Sequence, residues 1–257
     1  MKIPIYDSMQ AREIFHLEFL RWMSRKIKAE NYALKGGANL RFFFGSQRYS
    51  EDMDLDVRYM PVAVVKESVM RILASPSFRE VLVPFGIVSV VPPDLSKAKQ
   101  TETTQKFKVH LITKSGEDLF TKIEFSRRGL KGNVLVQTVS PLILRTYGLS
   151  PLLVAHYDAR SAVFQKINAL VTRTIIQARD IFDIYVLTTQ FNPGDAGDRF
   201  ENRSLLKKAG NNVLEVGFEE FRDTVLSYLT PDDRAAYDSP GSWDDIKLKV
   251  IAFIEAL

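Results

Sequence analysis

The chain has 257 residues, 46% hydrophobic and 26% charged, and its 35 lysines and arginines outnumber its 31 aspartates and glutamates by 4. The length predicts one large domain or two modest ones, and the composition predicts a globular protein. The small excess of positive charge permits an anionic partner without requiring one. The absence of cysteine excludes disulfides, thiolate nucleophiles and cysteine-ligated metals. No apolar run is long enough to span a membrane and no signal-peptide core is present, so we expect a cytoplasmic protein without membrane contact.

The first 140 residues mix helical and strand patterns. Apolar residues at helical spacing predict helices over residues 9–28, 39–44 and 62–73. Short apolar or alternating runs predict strands over residues 32–34, 48–57, 81–83, 87–91, 107–113, 119–126 and 134–136.

After residue 140 the pattern is mainly helical. The sequence Ser242-Trp243-Asp244-Asp245 resembles a capping box and predicts the start of the last helix. We therefore expect an α+β protein with a first lobe over residues 1–140, a mostly α-helical lobe over residues 141–257, and a cleft between them. The helices are predicted over residues 141–147, 159–189, 200–208, 218–228 and 243–257.

Two aspartates follow a double glycine and offer a metal site. Asp52 and Asp54 alternate with apolar residues, so on a strand they share one face, with Cα atoms about 6.5–7 Å apart. Carboxylates at this spacing can bind the same pair of hard cations, and Mg²⁺ prefers such ligands together with substrate phosphates. Gly36 and Gly37 let phosphates approach the backbone closely. The competing interpretation is an acidic edge strand after an ordinary turn, and the third aligned acid, Asp56, weighs against it.

A further carboxylate, Glu124, projects from a predicted strand on the face opposite to its apolar neighbours. A charge in a central strand needs a metal or a cation. Glu124 is therefore either a metal ligand or half of an ion pair with Lys122 or Arg127.

Charged residues recur every seven positions within the predicted helix 159–189. Lys166, Arg173 and Asp180 share one stripe of that helix, and Asp183 lies one turn beyond Asp180. The stripe is either a solvated surface or part of an active site. The apolar residues around Asp180 favour the active site.

Five short strings occur in order between residues 35 and 187. They are Lys35-Gly36-Gly37-x-x-Leu40-Arg41, Arg48-x-Ser50-x-Asp52-x-Asp54-Leu55, Lys122-Ile123-Glu124, Lys166-x-x-Ala169-x-x-x-Arg173 and Arg179-Asp180-x-x-Asp183. Together they resemble the AbiEii-type nucleotidyltransferases, the toxins of bacterial toxin–antitoxin and phage-defence systems. The resemblance implies a polymerase-beta-like nucleotidyltransferase lobe with a mixed sheet, followed by a helical lobe.

The resemblance also implies roles for individual residues. Asp52 and Asp54 would bind Mg²⁺ or Mn²⁺, and Glu124 stands where related enzymes place a third acid. Lys35, Gly36, Gly37 and Ser50 would line the phosphates of the NTP, Lys166 would reach the triphosphate, and Asp180 and Asp183 would belong to the helical catalytic motif. One departure is Ala38, because many nucleotidyltransferases carry Ser or Thr after the glycines and so make one more contact to phosphate.

Nucleotide transfer requires the same residue types on chemical grounds, namely carboxylates that bind metals and cationic side chains. Attack on an α-phosphoryl group needs metals to stabilise the attacking and leaving oxygens, and cations on the pyrophosphate. Lys166, with Arg48 or Arg173, would supply those cations. The sequence leaves open whether Asp180 acts as a base or orients Lys166.

The function expected from these patterns is metal-dependent transfer of a nucleoside monophosphate from an NTP to an acceptor. The resemblance favours tRNA as the acceptor and implies a cognate antitoxin. Basic residues at 97–108 and Arg127, Arg128 and Lys131 are candidates for an RNA-binding surface, or else an ordinary solvated one. Two alternatives are a non-catalytic module that binds a nucleotide or a partner, and a nucleotidyltransferase that modifies small molecules. The three scattered histidines are expected to be structural.

Overall fold

The computed structural model of the chain describes residues 6–96, 98–190, 193 and 202–257. Two compact units are present: one comprises Met1–Phe42 and Tyr49–Tyr157, and the other Phe43–Arg48 and Asp158–Leu257. The first unit is built on a β-sheet and the second is helical. The fold is α+β, as the sequence predicts.

The described residues of the first unit form one mixed seven-stranded sheet. Its strands are β1 (Tyr32–Lys35), β2 (Met53–Val57), β3 (Ile87–Val91), β4 (Thr104–Thr113), β5 (Asp118–Ser126), β6 (Val134–Thr138) and β7 (Leu153–Tyr157). They lie in the order β3-β4-β5-β2-β1-β7-β6. Strand β2 runs antiparallel to β1 and parallel to β5, so it occupies the middle of the sheet.

Helices cover the sheet of the first unit. They are α1 (Ser8–Ser24), α2 (Gly36–Phe43), α3 (Val62–Leu73), α4 (Pro76–Glu80) and α5 (Pro141–Thr146). Helix α1 starts at a capping box in which Asp7 and Gln10 bond reciprocally, and most of its apolar side chains are fully buried. Its buried Glu13 accepts hydrogen bonds from Arg41 and from the hydroxyl of Tyr147, which ties α1 to α2 and to the end of α5.

The second unit contains α6 (Ala159–Thr172), α7 (Ala178–Leu187), α8 (Arg203–Leu214), α9 (Phe218–Thr224), α10 (Pro231–Ala235) and α11 (Pro240–Ala256). Its core includes a stacked pair, Phe221 on Trp243, with ring centroids 4.3 Å apart. The indole nitrogen of Trp243 donates to the carbonyl of Val216, so its polar end is satisfied although the side chain is buried. No helix among the described residues is both long and apolar enough to cross a membrane.

The prediction of one long helix over residues 159–189 is wrong. The chain leaves the helix at Arg173, with φ −73° and ψ 141°, and α7 begins only after Gln177. Thr174, Ile175 and Ile176 lie in this break, and β-branched side chains favour extended backbone over helix. The charged residues of the predicted stripe therefore come from two helices and the segment that joins them.

Other local predictions also differ from the structure. Residues 81–83 form no strand: Val81 caps α4, and Val83 begins a 3₁₀ turn that contains Pro84, which lacks an N–H for sheet pairing. Strand β7 was not predicted, and β2 begins at Met53 rather than at residue 48. Helix α11 begins at Pro240 with Ser239, not Ser242, as its cap. Of the helix predicted over residues 200–208, residues 200 and 201 lie outside the described residues.

Arg127 stabilises the first unit instead of lining its surface. Its guanidinium donates to Oε1 of Gln105 at 3.1 Å and to the carbonyl of Met60 at 2.5 Å, and its side chain is 8% exposed. Arg127 is therefore withdrawn as a candidate RNA contact. Its neighbour Arg128 is exposed.

We expect Arg127→Ala to lower the free energy of unfolding by about 1–3 kcal/mol, because it leaves buried acceptors without a donor. Arg128→Ala is the matched control and should change stability by less than about 0.5 kcal/mol. Urea denaturation of both variants measures the difference. Equal effects of the two substitutions would contradict the structural role of Arg127.

Candidate active site

Strand β2 presents its acidic residues on one face of the sheet. Met53 and Leu55 are fully buried on the opposite face, as the alternation in sequence predicts. The parallel pairing of β2 with β5 sets Asp54 beside Glu124. Adjacent strands lie about 4.8 Å apart, so these two carboxyl groups are neighbours on one surface.

The carboxyl group of Asp54 lies against the backbone of Gly36. Gly36 has φ +69°, and a Cβ built on it would come within 2.9 Å of Oδ2 of Asp54. Two independent constraints therefore require glycine here: the left-handed backbone and the space taken by the carboxylate. Burial raises the pKa of Asp54; the charge of Lys35 opposes this shift and that of Glu124 adds to it.

Asp52 precedes β2 and faces a lysine of β5. The ammonium of Lys122 lies 2.8 Å from Oδ2 of Asp52 and 3.8 Å from Oε2 of Glu124. Glu124 also pairs with Lys106 of β4 at 3.0 Å. The ion-pair interpretation of Glu124 is thus realised in part, through Lys122 and through Lys106 but not through Arg127.

Lys35 and Asp56 form a separate pair on the same region of the sheet. The ammonium of Lys35 lies 2.5 Å from Oδ1 of Asp56, whose Oδ2 accepts from the hydroxyl of Tyr157 at 2.7 Å. Asp56 is buried, so it is the partner of Lys35 and of β7 rather than an open acidic residue. Ser50 donates to the carbonyl of Asp52 at 2.7 Å and so shapes the loop that enters β2.

The first unit contains carboxylate oxygens that could bind a divalent ion, but they do not form a complete coordination shell. Among the described residues, no group of three acidic or histidine side chains is arranged as a metal site. However, Oδ1 of Asp52 is buried and has no hydrogen-bond partner, which is an unusual state for a carboxylate oxygen. Mg²⁺ commonly uses one or two protein carboxylates plus substrate phosphates and water. Asp52, Asp54 and Glu124 therefore fit a metal that arrives with a nucleotide.

The second unit contains a buried network of charges. Lys166 of α6 reaches both aspartates of α7: its ammonium lies 2.9 Å from Oδ1 of Asp180 and 2.6 Å from Oδ2 of Asp183. Both aspartates are fully buried. The solvated-stripe interpretation is thus excluded, because the break between α6 and α7 folds these residues onto one another.

Two arginines complete the network. Arg48, itself buried, donates from Nη2 to both carboxylate oxygens of Asp183 at 2.9 and 3.1 Å. Arg173 lies in the break, with Nη1 2.9 Å from Oδ2 of Asp180. Its side chain is 36% exposed, whereas that of Lys166 is 12% exposed. Arg173 is thus the cation of this network that reaches solvent most freely.

Neighbouring opposite charges keep Asp183 and Lys166 of this network ionised. Burial alone would raise the pKa of Asp183, but the charges of Arg48 and Lys166 hold it below its usual value. Burial would likewise lower the pKa of Lys166, and Asp180 and Asp183 raise it instead. The lysine is therefore a cation and Asp183 an anion at neutral pH.

The sequence missed two parts of these arrangements. Lys106 was not considered as a partner of Glu124, and Tyr157 was not considered as a partner of Asp56. Both contacts depend on which strands pair, and β7 in particular carried no recognised strand signal. Knowledge of the β4–β5 register would have identified the first, because Lys106 and Glu124 are directly opposite each other.

Comparison with known proteins identifies the family. The model of the nucleotidyl transferase AbiEii toxins of type IV toxin–antitoxin systems matches residues 18–240. The chain belongs to the AbiEii family. It is a nucleotidyltransferase, and its family implies an NTP substrate and an antitoxin partner. No curated protein sequence matches it.

Solved structures share the fold of this AbiEii protein. The nucleotidyltransferase toxin MenT4 from Mycobacterium tuberculosis is 16% identical, with 97% of this chain and 85% of that chain covered and a TM-score of 0.67. JHP933 from Helicobacter pylori is 18% identical, with 98% and 92% covered and a TM-score of 0.54. At these identities the likeness concerns the fold.

The contact between Gly36 and Asp54 predicts a specific effect of Gly36→Ala. A methyl group there displaces the Asp54 carboxyl group and strains the left-handed backbone, so we expect nucleotide transfer to fall at least about tenfold. Gly116→Ala is the matched control, because Gly116 has φ +84° and no atom near its missing Cβ. Both variants should lose about 1 kcal/mol of stability, and only Gly36→Ala should lose activity. Equal activities would contradict the role of this contact.

The lowered pKa of Asp183 predicts how acid affects stability. An unfolded aspartate has a pKa of about 3.9, so below that pH the unfolded chain binds a proton that the folded one does not. The stabilising contribution is present above the unfolded pKa and is lost as the pH falls through the folded pKa. We expect Asp183→Asn to flatten the loss of unfolding free energy between about pH 5 and 2 relative to the wild-type protein. Urea titrations across that range measure the slopes, and a wild-type slope in Asp183→Asn would be inconsistent with this pKa.

Proposed function

We propose that this AbiEii protein transfers a nucleoside monophosphate from an NTP to tRNA in the cytoplasm, as the toxin of a phage-defence system. The oxygen of an acceptor hydroxyl attacks the α-phosphorus of the NTP. The bond from that phosphorus to the bridging oxygen breaks, and pyrophosphate leaves with the electron pair. The observation that carries the proposal is the neighbouring set of carboxylates on β2 and β5, with one buried Asp52 oxygen still without a hydrogen-bond partner.

We assign the divalent ions to Asp52 and Asp54, with Glu124 as a third acid. Mg²⁺ or Mn²⁺ bound there would stabilise charge on the attacking and leaving oxygens. Lys35 and the amides of Gly36 and Gly37 bind phosphate oxygens in this proposal, because α2 starts at these glycines and helix N-termini favour anions. Ser50 lies in the loop before β2 and lines the same phosphates.

We propose that three cations bind the triphosphate: Lys166, Arg48 and Arg173. Asp180 and Asp183 would hold these cations in position. Both aspartates are fully buried and bonded to cations, which favours a role in orienting Lys166 over a role as a base. Arg48 is held by Asp183 in the same way. Arg173 is the most exposed of the three and so is the first candidate for contact with pyrophosphate.

The choice of RNA as acceptor is supported by basic side chains on the first unit. Lys99, Lys108, Arg128 and Lys131 are exposed. Such residues bind a phosphate backbone through charge, and this binding weakens as salt rises. Lys97, another candidate, lies outside the described residues.

The test is labelling of total RNA with each α-labelled NTP in the presence of Mg²⁺. We expect one NTP to label tRNA. Asp54→Ala should reduce labelling by about 10³-fold, because it removes a ligand of the metal that stabilises the charge of the transition state. Asp118→Ala is the control, since Asp118 begins the same strand β5 but is exposed and pairs with His110.

Two results would contradict the proposal. Full labelling by Asp54→Ala would remove Asp54 from the reaction. Label that appears in protein or in small molecules, and not in RNA, would overturn tRNA as the acceptor and would assign that role to the labelled class of molecule. A melting temperature close to wild type in Asp54→Ala distinguishes loss of chemistry from loss of fold.

A further inference from the structure

The lysine next to the proposed metal ligands is bound to the same carboxylates that a metal would use. Lys122 contacts Oδ2 of Asp52 at 2.8 Å and lies 3.8 Å from Oε2 of Glu124. The charge of Asp54 also acts on it. A single ammonium thus neutralises part of a surface on which three carboxylates gather.

The sheet register directs Lys122 towards these acids. Lys108 of β4 is directly opposite Lys122 in the antiparallel β4–β5 pair. Like charges in opposite positions repel, so the Lys122 ammonium is favoured on the side of Asp52 and Glu124. Among the described residues Lys108 itself makes no ion pair, although its ammonium lies over the ring of Phe120.

A divalent ion and the Lys122 ammonium cannot both occupy the region beside Asp52 without strong repulsion. Like charges a few ångströms apart near a protein surface repel each other, and this repulsion would weaken binding of the metal. The Lys122 ammonium can move into solvent, because its side chain is 24% exposed and lysine has a flexible four-carbon stem. An ion that binds beside Asp52 would therefore have to exchange with the ammonium.

We propose that Lys122 is a built-in competitor of the divalent ion. It holds Asp52 and Glu124 in the free protein and is displaced when metal and nucleotide enter together. The inference rests on the proposed metal-binding role of Asp52. Because NTP phosphates give the displaced ammonium new anionic partners, the competition is strong without nucleotide and weak with it, so the protein takes up metal mainly as the metal–NTP complex.

The experiment is a titration of the full chain with Mn²⁺, followed by electron paramagnetic resonance of the free ion, with and without a non-hydrolysable NTP analogue. We expect Lys122→Met to bind Mn²⁺ about tenfold more tightly than wild type without nucleotide, and to differ from it much less when the analogue is present. Lys122→Arg keeps the charge and should bind like wild type. Lys114→Met removes the same charge from an exposed lysine just after the end of β4 and should shift affinity by less than about twofold.

The outcomes separate this inference from the function on which it rests. If Asp52→Ala weakens Mn²⁺ binding but Lys122→Met leaves it unchanged or weaker, the metal site stands and the competitor role of Lys122 is overturned. If Asp52→Ala has no effect on Mn²⁺ binding, the proposed metal site itself fails. Lys122→Gln is a second charge-removing variant, and thermal melting of each protein shows which variants are folded.

Discussion

The contact of Asp54 with the backbone of Gly36 is the constraint on which the acidic surface of the sheet depends. It requires a glycine with a left-handed backbone at the start of α2 and a β1–β2 register that sets Lys35 opposite Asp54. A slip of this register by one residue would turn the acids of β2 towards the core and its apolar residues towards solvent. The same register, continued through the parallel β2–β5 pair, brings Glu124 beside Asp54.

Both units neutralise their clustered charges by ion pairs, but the pairs differ in how deeply they are buried. On the sheet, partly exposed lysines neutralise the carboxylates, and in our proposal Lys122 moves away when a divalent ion binds. In the helical unit, Lys166 and Arg48 are bound to fully buried aspartates, and removal of one partner would leave an uncompensated charge. This difference suits exchange of a cation in the first unit, as we propose, and a fixed orientation of cations in the second.

The sequence predicted what depends on local pattern and missed what depends on pairing in space. The alternation of Met53, Asp54 and Leu55 specified the faces of β2, and the family strings indicated the nucleotidyltransferase. The apolar run of β7 was not recognised because a short continuous run does not distinguish a buried strand from a helix segment. The seven-residue spacing suggested one helix through Arg173, and the β-branched residues after it interrupt that helix. The pairing of Lys35 with Asp56 depends on tertiary structure and has no signal in the sequence.

The central claim is that the carboxylates of Asp52 and Asp54 bind the divalent ion of nucleotide transfer. Its most direct test is anomalous diffraction from crystals grown with Mn²⁺ and a non-hydrolysable NTP. The account predicts a Mn²⁺ peak bonded to the carboxylates of Asp52 and Asp54 and to phosphate oxygens, with the Lys122 ammonium moved away from Asp52. A bound nucleotide with Mn²⁺ peaks elsewhere, and with Lys122 still paired to Asp52, would contradict it.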